Sequence, residues 1–139
     1  MMFSKPFFTA TILAVLASVV SAADKCDDRT GKVQPNDTCD KICQRDQVSI
    51  FQLRHFNTWI DAACSNLKDQ DLCLSMKGKD CTSIYKVQTT DTQGCWGIAH
   101  DHGIDLSVFM ANNGNPDCTK LYPGEWVCVA AKEIPYTSK

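Results

Sequence analysis

The sequence predicts an α+β protein built from two tandem, disulfide-stapled βααβ modules behind a segment that directs export. Three observations lead there. Eight of the nine cysteines fall into two sets, Cys26, Cys39, Cys64, Cys73 and Cys81, Cys95, Cys118, Cys128, offset by 55, 56, 54 and 55 residues, the mark of an internal repeat. Residues between these anchors also align: Lys32-Val33-Gln34 with Lys86-Val87-Gln88, Ile42 with Ile98, Asn57 with Asn113, and Cys64-Ser65-Asn66-Leu67 with Cys118-Thr119-Lys120-Leu121. The second copy then spells strand, helix, helix, strand in under 50 residues. The first copy has two fewer residues between its first strand and second cysteine, and two more after its Asn. Both differences fall in loops, where length changes cost little.

Residues 1–22 read as a signal peptide. Lys5 supplies the positive start, residues 7–20 are apolar apart from Thr9, Thr11 and Ser18, and Val20-Ser21-Ala22 offers small residues for cleavage before Ala23 or Asp24. The apolar run is short for a bilayer span and no second run follows it, so a secreted, extracellular protein is expected, with no membrane partner. The processed chain of about 116 residues carries 13 basic against 16 acidic residues. That balance argues against nucleic acid or an anionic membrane as the main partner.

The expected boundaries are 26–75 for module 1, 76–82 for a linker, 83–130 for module 2 and 131–139 for a frayed polar tail. In module 1, Lys32-Val33-Gln34 is a short strand and Pro35-Asn36-Asp37-Thr38 a turn, with Asp37 or Thr38 placed to cap the helix that follows. Cys39, Ile42 and Cys43 share one face of that helix. Ser49-Ile50-Phe51-Gln52 has the Ser-x-x-Gln capping-box pattern and should start a second helix, with Ile50, Leu53 and Phe56 as its apolar stripe. A loop holding Trp59 and Ile60 follows. Residues 68–74 should be a weak closing strand.

Module 2 has clearer punctuation. Residues 83–88 form a strand and residues 89–94 a polar turn. Helical segments follow at residues 95–102, with Trp96 partly buried, and at 106–112, with Leu106, Phe109 and Met110 facing the core. Gly103 marks the end of the first and Asp105 can cap the second. Asn113-Gly114-Asn115-Pro116-Asp117 is a loop, and Tyr122-Pro123-Gly124 turns the chain into a strand from Glu125 to Val129.

Modules of about 50 residues bury little core on their own, and cysteines in an exported chain supply the missing staples, about 2–4 kcal/mol each. Spacing alone does not fix the connectivity. Antiparallel pairing of each module's two strands favours a nested order, Cys26–Cys73 with Cys39–Cys64 and Cys81–Cys128 with Cys95–Cys118; a Cys26–Cys64 bridge would defeat it. Cys43, whose counterpart is Ala99, is left over. It reads as a small buried thiol, or else as an intermolecular bridge giving a dimer; shared ligand is the other route to a dimer.

No catalytic constellation is visible. His100 and His102 form a His-x-His pair that reads as two solvated histidines rather than a metal site, and His55 stands apart. The carboxylates are scattered over turns, without the paired placement that glycoside hydrolysis needs. No enzyme activity, metal or cofactor is expected.

The chain resembles the LysM family. Tyr85-Lys86-Val87 with Asp91-Thr92 looks like the family's opening strand and Gly-Asp-Thr turn. Cys95-Trp96-Gly97-Ile98-Ala99 with Gly103-Ile104 looks like its first helix, and Phe109, Asn113 and Asn115-Pro116 like its second helix and Asn loop. Leu121-Tyr122-Pro123-Gly124 through Val129 looks like its close. The extra cysteines resemble the secreted fungal branch, including small LysM effectors. Module 1 departs from the pattern: Asn36-Asp37-Thr38 replaces Gly-Asp-Thr, and Pro-Gly is missing before its last strand.

The resemblance implies a binder of N-acetylglucosamine polymers, chitin or its oligomers and, in bacteria, peptidoglycan, held between the loop after the first strand and the loop after the second helix. Carried over, the contacts are Thr90, Asp91, Thr92, Gln93 and Gly94 with Asn113, Gly114, Asn115, Pro116 and Asp117. In module 1 they are Asn36, Asp37 and Thr38 with Trp59 and Ile60. Asn, Asp, Thr and Gly loops expose groups that bond amides and hydroxyls, and Trp59 is placed to stack on a sugar face. Asn36-Asp37-Thr38 is also an N-glycosylation sequon. A glycan on Asn36 blocks the first groove or spares it, so module 2 is the expected binder. The implied role is sequestering chitin fragments from host receptors or shielding hyphal walls. The alternative is a secreted interaction or wall-structural protein that kept the scaffold and lost the sugar.

Overall fold

A computed structural model describes residues 26–136; the expected signal peptide lies outside them. Module 1 runs β1 (Thr30–Lys32), α1 (Cys39–Asp46), α2 (Ile50–Phe56), β2 (Asp71–Cys73), and module 2 runs β3 (Ile84–Lys86), α3 (Gly94–Asp101), α4 (Leu106–Asn112), β4 (Trp126–Cys128). The strands pair antiparallel within each module, Gly31 opposite Leu72 and Tyr85 opposite Val127. β1 starts two residues before the expected Lys32, and only the last part of the expected closing strand pairs. At Gly31 in β1 an added Cβ would meet Leu74 Cδ1 at 3.0 Å.

Helix starts follow local chemistry. Thr38 caps α1 by accepting from the Lys41 amide at 3.2 Å, and Ser49 caps α2 by accepting from Gln52 N at 3.2 Å. The reciprocal half of the capping box is absent, because the Gln52 side chain turns into the interior instead. Asp105 stands at the N-cap of α4 without a side-chain cap bond. The four bridges adopt the nested order: Cys26–Cys73, Cys39–Cys64, Cys81–Cys128 and Cys95–Cys118. They close loops of 47, 25, 47 and 23 residues, each constraining the unfolded chain by about 3–4 kcal/mol on the entropic account.

Each module has its own small core, around Ile42, Leu53 and Leu72 in the first and Ile98, Phe109 and Val127 in the second. Cys43 is fully buried in the first. Burial, then the nearby Asp40 and Asp46 carboxylates, push its thiol up to about 12. The burial matches the reading of Cys43 as a small buried thiol, inaccessible to a second chain in the folded state.

A third core spans both modules and uses the tail. Phe56, Cys73, Cys81, Cys128, Ile134 and Tyr136 pack together, with Tyr136 edge-on to Phe51 at 5.2 Å. The expectation of a frayed tail therefore fails as far as Tyr136. Asn112 Nδ2 donates to Lys132 O at 2.9 Å, and Ile134 N donates to Asn112 Oδ1 at 2.8 Å. Gln52 completes the joint: Nε2 donates to Leu74 O and Asp80 Oδ1, while Oε1 accepts from Cys81 N at 2.8 Å and the Tyr136 hydroxyl at 2.7 Å. Arg29 pairs with Asp80 at 2.7 Å behind it. Two further expectations fail at the surface: Trp96 is 54% exposed and Leu106 40%.

Candidate functional site

The loop after each first strand is folded by its own aspartate. Asp37 Oδ2 accepts from Gln34 N at 2.8 Å, and Asp91 Oδ2 from Gln88 N at 2.6 Å. In both, the aspartate amide returns a bond to the carbonyl of the same glutamine. Asp37 is further gripped by Arg45 Nη1 at 2.9 Å, and Asp91 by the Tyr85 hydroxyl at 3.0 Å. Burial alone would raise the Asp37 pKa; the Gln34 amide and Arg45 outweigh it and hold the carboxyl below its usual value. These carboxylates face into their turns.

The asparagine after each second helix also faces inward. Asn57 Nδ2 donates to Leu53 O and Cys73 O, and its Oδ1 accepts from Cys73 N at 2.9 Å. Asn113 does the same with Phe109 O, Cys128 O and Cys128 N. Each satisfies a helix-end carbonyl and ties the helix to the closing strand.

Among the described residues, cavities open beside these loops. In module 1, residues 32–37 and 67–69 enclose about 620 Å³. Asn36 and Asp37 line it, with Val33 and Leu67 adding apolar surface and Gln34, Lys68 and Asp69 polar groups. Thr38 is committed to the helix cap. Trp59 packs against the module 1 core with its indole nitrogen buried and unpartnered, and Ile60 is buried. Neither lines this cavity.

In module 2 the ten expected residues divide. Thr90, Asp91, Thr92 and Gln93 line a hollow of about 120 Å³ with Gly97 and Asp101. Asn113, Gly114 and Pro116 face a groove of about 540 Å³ between the modules, opposite Ile50, Phe51 and Arg54 of module 1. Gly114 is required there: at φ +70°, an added Cβ would lie 2.3 Å from the Phe51 ring. Gly94 (φ +58°) lies under the Cys118 carbonyl, 2.6 Å from where a Cβ would stand. Asn115 is exposed at φ +55°, and Asp117 binds Thr119 and Lys120.

Sequence reasoning missed Leu67, Lys68 and Asp69 as lining residues: Lys68 and Asp69 were assigned to the closing strand, and Leu67 was read only as a repeat position. Their alignment with Leu121-Tyr122-Pro123, turn residues in module 2, was the available signal. The inter-module groove had none. His100 stacks on Trp96 at 5.0 Å and His102 meets Tyr85 at 4.7 Å. Among the described residues no cluster of three or more potential ligands could hold a metal, and no helix is long and apolar enough to cross a membrane.

Comparison with known proteins fits the repeat. The LysM domain profile matches residues 32–72 and 85–130, together more than half of the chain. A non-secreted LysM effector, LysM15 of Penicillium expansum, is 32% identical over 66% of this chain and 6% of its own length. The secreted LysM effectors LysM1 of Trichophyton rubrum and ldpB of Aspergillus fumigatus are each 26% identical. They align over 73% and 75% of this chain and 50% and 42% of their own lengths. The chain thus spans half or less of the relatives it matches. Two antiparallel strand pairs, each enclosing two helices and closed by the same asparagine clamp, are two copies of one unit, and the chain belongs to the LysM domain family.

Proposed function

We propose that the protein is an exported, non-enzymatic binder of N-acetylglucosamine oligomers, chitin fragments foremost, and that module 1 rather than module 2 carries the main groove. The observation that supports this is the cavity of about 620 Å³ between residues 32–37 and 67–69. It lies between the loop after the first strand and the loop after the second helix. Its size is that of a small-ligand site. It offers what an N-acetyl sugar needs: apolar surface from Val33, Pro35 and Leu67 for the ring, and amide, carboxylate and ammonium groups for the acetamido and hydroxyls. Sequestering chitin fragments from host receptors, or coating hyphal walls, follows from such binding. The secreted fungal effectors among its relatives support export.

One observation favours a second reading, a scaffold that has lost the sugar: Asp91 and Asn113, two of the expected contacts, are spent on internal bonds. Retention on insoluble chitin separates the two. The sugar reading expects the oxidised, processed protein to be retained and to be released by soluble N-acetylglucosamine oligomer, with peptidoglycan fragments as the comparison competitor. Flow-through of folded protein would favour the scaffold.

A further inference from the structure

Trp96 stands out among the three tryptophans. Trp59 is packed against the module 1 core, and Trp126 donates from Nε1 to Asp40 Oδ1 at 2.8 Å. Trp96 is 54% exposed, and its indole N–H has no partner among the described residues. Among the described residues its one ring neighbour is His100, stacked nearly parallel (17°) at 5.0 Å. Exposing an indole in this way forgoes the burial that a large aromatic ordinarily gains.

The repeat shows what this position can do. Trp96 follows Cys95 as Asp40 follows Cys39. Asp40 is spent on the partner module, bonding Trp126 and, at 2.9 Å, Lys86 Nζ. At the equivalent position of α3, Trp96 is exposed instead. The next residue along α3, Gly97, helps to line a hollow of about 120 Å³ whose walls include Thr90, Thr92, Gln93 and Asp101. A side chain at Gly97 would strike Gln93 Cβ at 2.8 Å.

We infer that Trp96, backed by His100, is a sugar-stacking platform on module 2, and that the adjoining hollow takes a polar substituent of the same pyranose chain. The inference rests on the reading of the protein as an N-acetylglucosamine-oligomer binder and gives that ligand a second contact, on α3. His100 occupies one indole face and fixes its plane; the open face meets the apolar face of a ring. The hydroxyls of Thr90 and Thr92 and the Asp101 carboxylate supply the polar partners an acetamido or hydroxyl group requires. A platform on module 2 and a groove on module 1 let one protein hold one long oligomer at two places, or two oligomers at once.

The test is titration of the oxidised, processed full chain with N-acetylglucosamine hexamer, followed by calorimetry and tryptophan emission, for wild type, Trp96→Ala and Trp96→Phe. The inference expects Trp96→Ala to weaken binding about tenfold, equivalent to ~1.4 kcal/mol. It also expects Trp96→Ala to abolish the emission change, and Trp96→Phe to restore most of the affinity. Wild-type binding with Trp96→Ala indistinguishable from it overturns the platform and leaves the sugar reading intact. So does a sedimentation result in which Trp96→Ala loses only self-association, which would mark the indole as a contact between copies. No binding by wild type overturns both.

Discussion

Asn57 and Asn113 make the same three hydrogen bonds in two different modules, each to the carbonyl four residues back and to both backbone groups of the last cysteine in its closing strand. The side chain does for each module what a longer sheet would do, anchoring a three-residue strand to the helix beside it. Truncating Asn113 to Ala strands a buried amide and two carbonyls, so Asn113→Ala should lower stability by about 2–3 kcal/mol. Urea unfolding measures this. The affinity of the folded variant for oligosaccharide should stay within about twofold, because the amide points inward; a large loss of affinity at full folding would return Asn113 to the ligand.

Gln52 and Tyr136 join the modules. Gln52→Leu fills similar volume but leaves Cys81 N–H and the Tyr136 hydroxyl without their acceptor. The expected loss is about 2–4 kcal/mol. Ending the chain after Ala131 removes Ile134 and Tyr136 from the shared core, and should split one cooperative calorimetric transition into two. A single unchanged transition would mean that the tail is not part of the joint.

Cys43 should resist alkylation in the native protein at pH 8 and react once the protein is unfolded, because burial keeps it inaccessible and un-ionised. Mass spectrometry after iodoacetamide reads this directly, and non-reducing electrophoresis should show a monomer.

Asp40 gives the joint a pH dependence. The Lys86 ammonium, then the Trp126 indole N–H, hold its carboxyl below its usual value against the opposing effect of burial. A lowered folded-state pKa contributes stability that is present above the unfolded value, about 3.9, and is lost as pH falls through the folded value. The wild-type protein should therefore lose more stability than Asp40→Asn on acidification below about pH 4. The difference should be small and shrink with salt, since the pair is exposed. Thermal melts from pH 6 to 2 measure it.

Much of the fold was legible because the signals were local. Cysteine spacing, Thr38 and Ser49 at helix starts, and antiparallel closure together gave the element order and the nested bridges. The site was less legible because its residue types serve two purposes. Asp91 and Asn113 have the chemistry of sugar contacts and also that of turn and strand anchors, and only their partners tell which use prevails. Gln52 looked like half of a capping box, yet its donors are taken by Leu74 and Asp80, distant positions that no local pattern exposes. The tail was misread for the same reason: Ile134 and Tyr136 are buried only because a second module supplies the surface they cover.

The central claim, a sugar groove in module 1, is tested most directly by calorimetric titration with N-acetylglucosamine hexamer, comparing wild type with Gln34→Trp, which places a ring in the cavity from an exposed position. Saturable binding by wild type, with the strongest site lost in a normally folded Gln34→Trp variant, is the predicted result. Wild-type binding left untouched by Gln34→Trp, or no binding by protein with its four bridges intact, would contradict it.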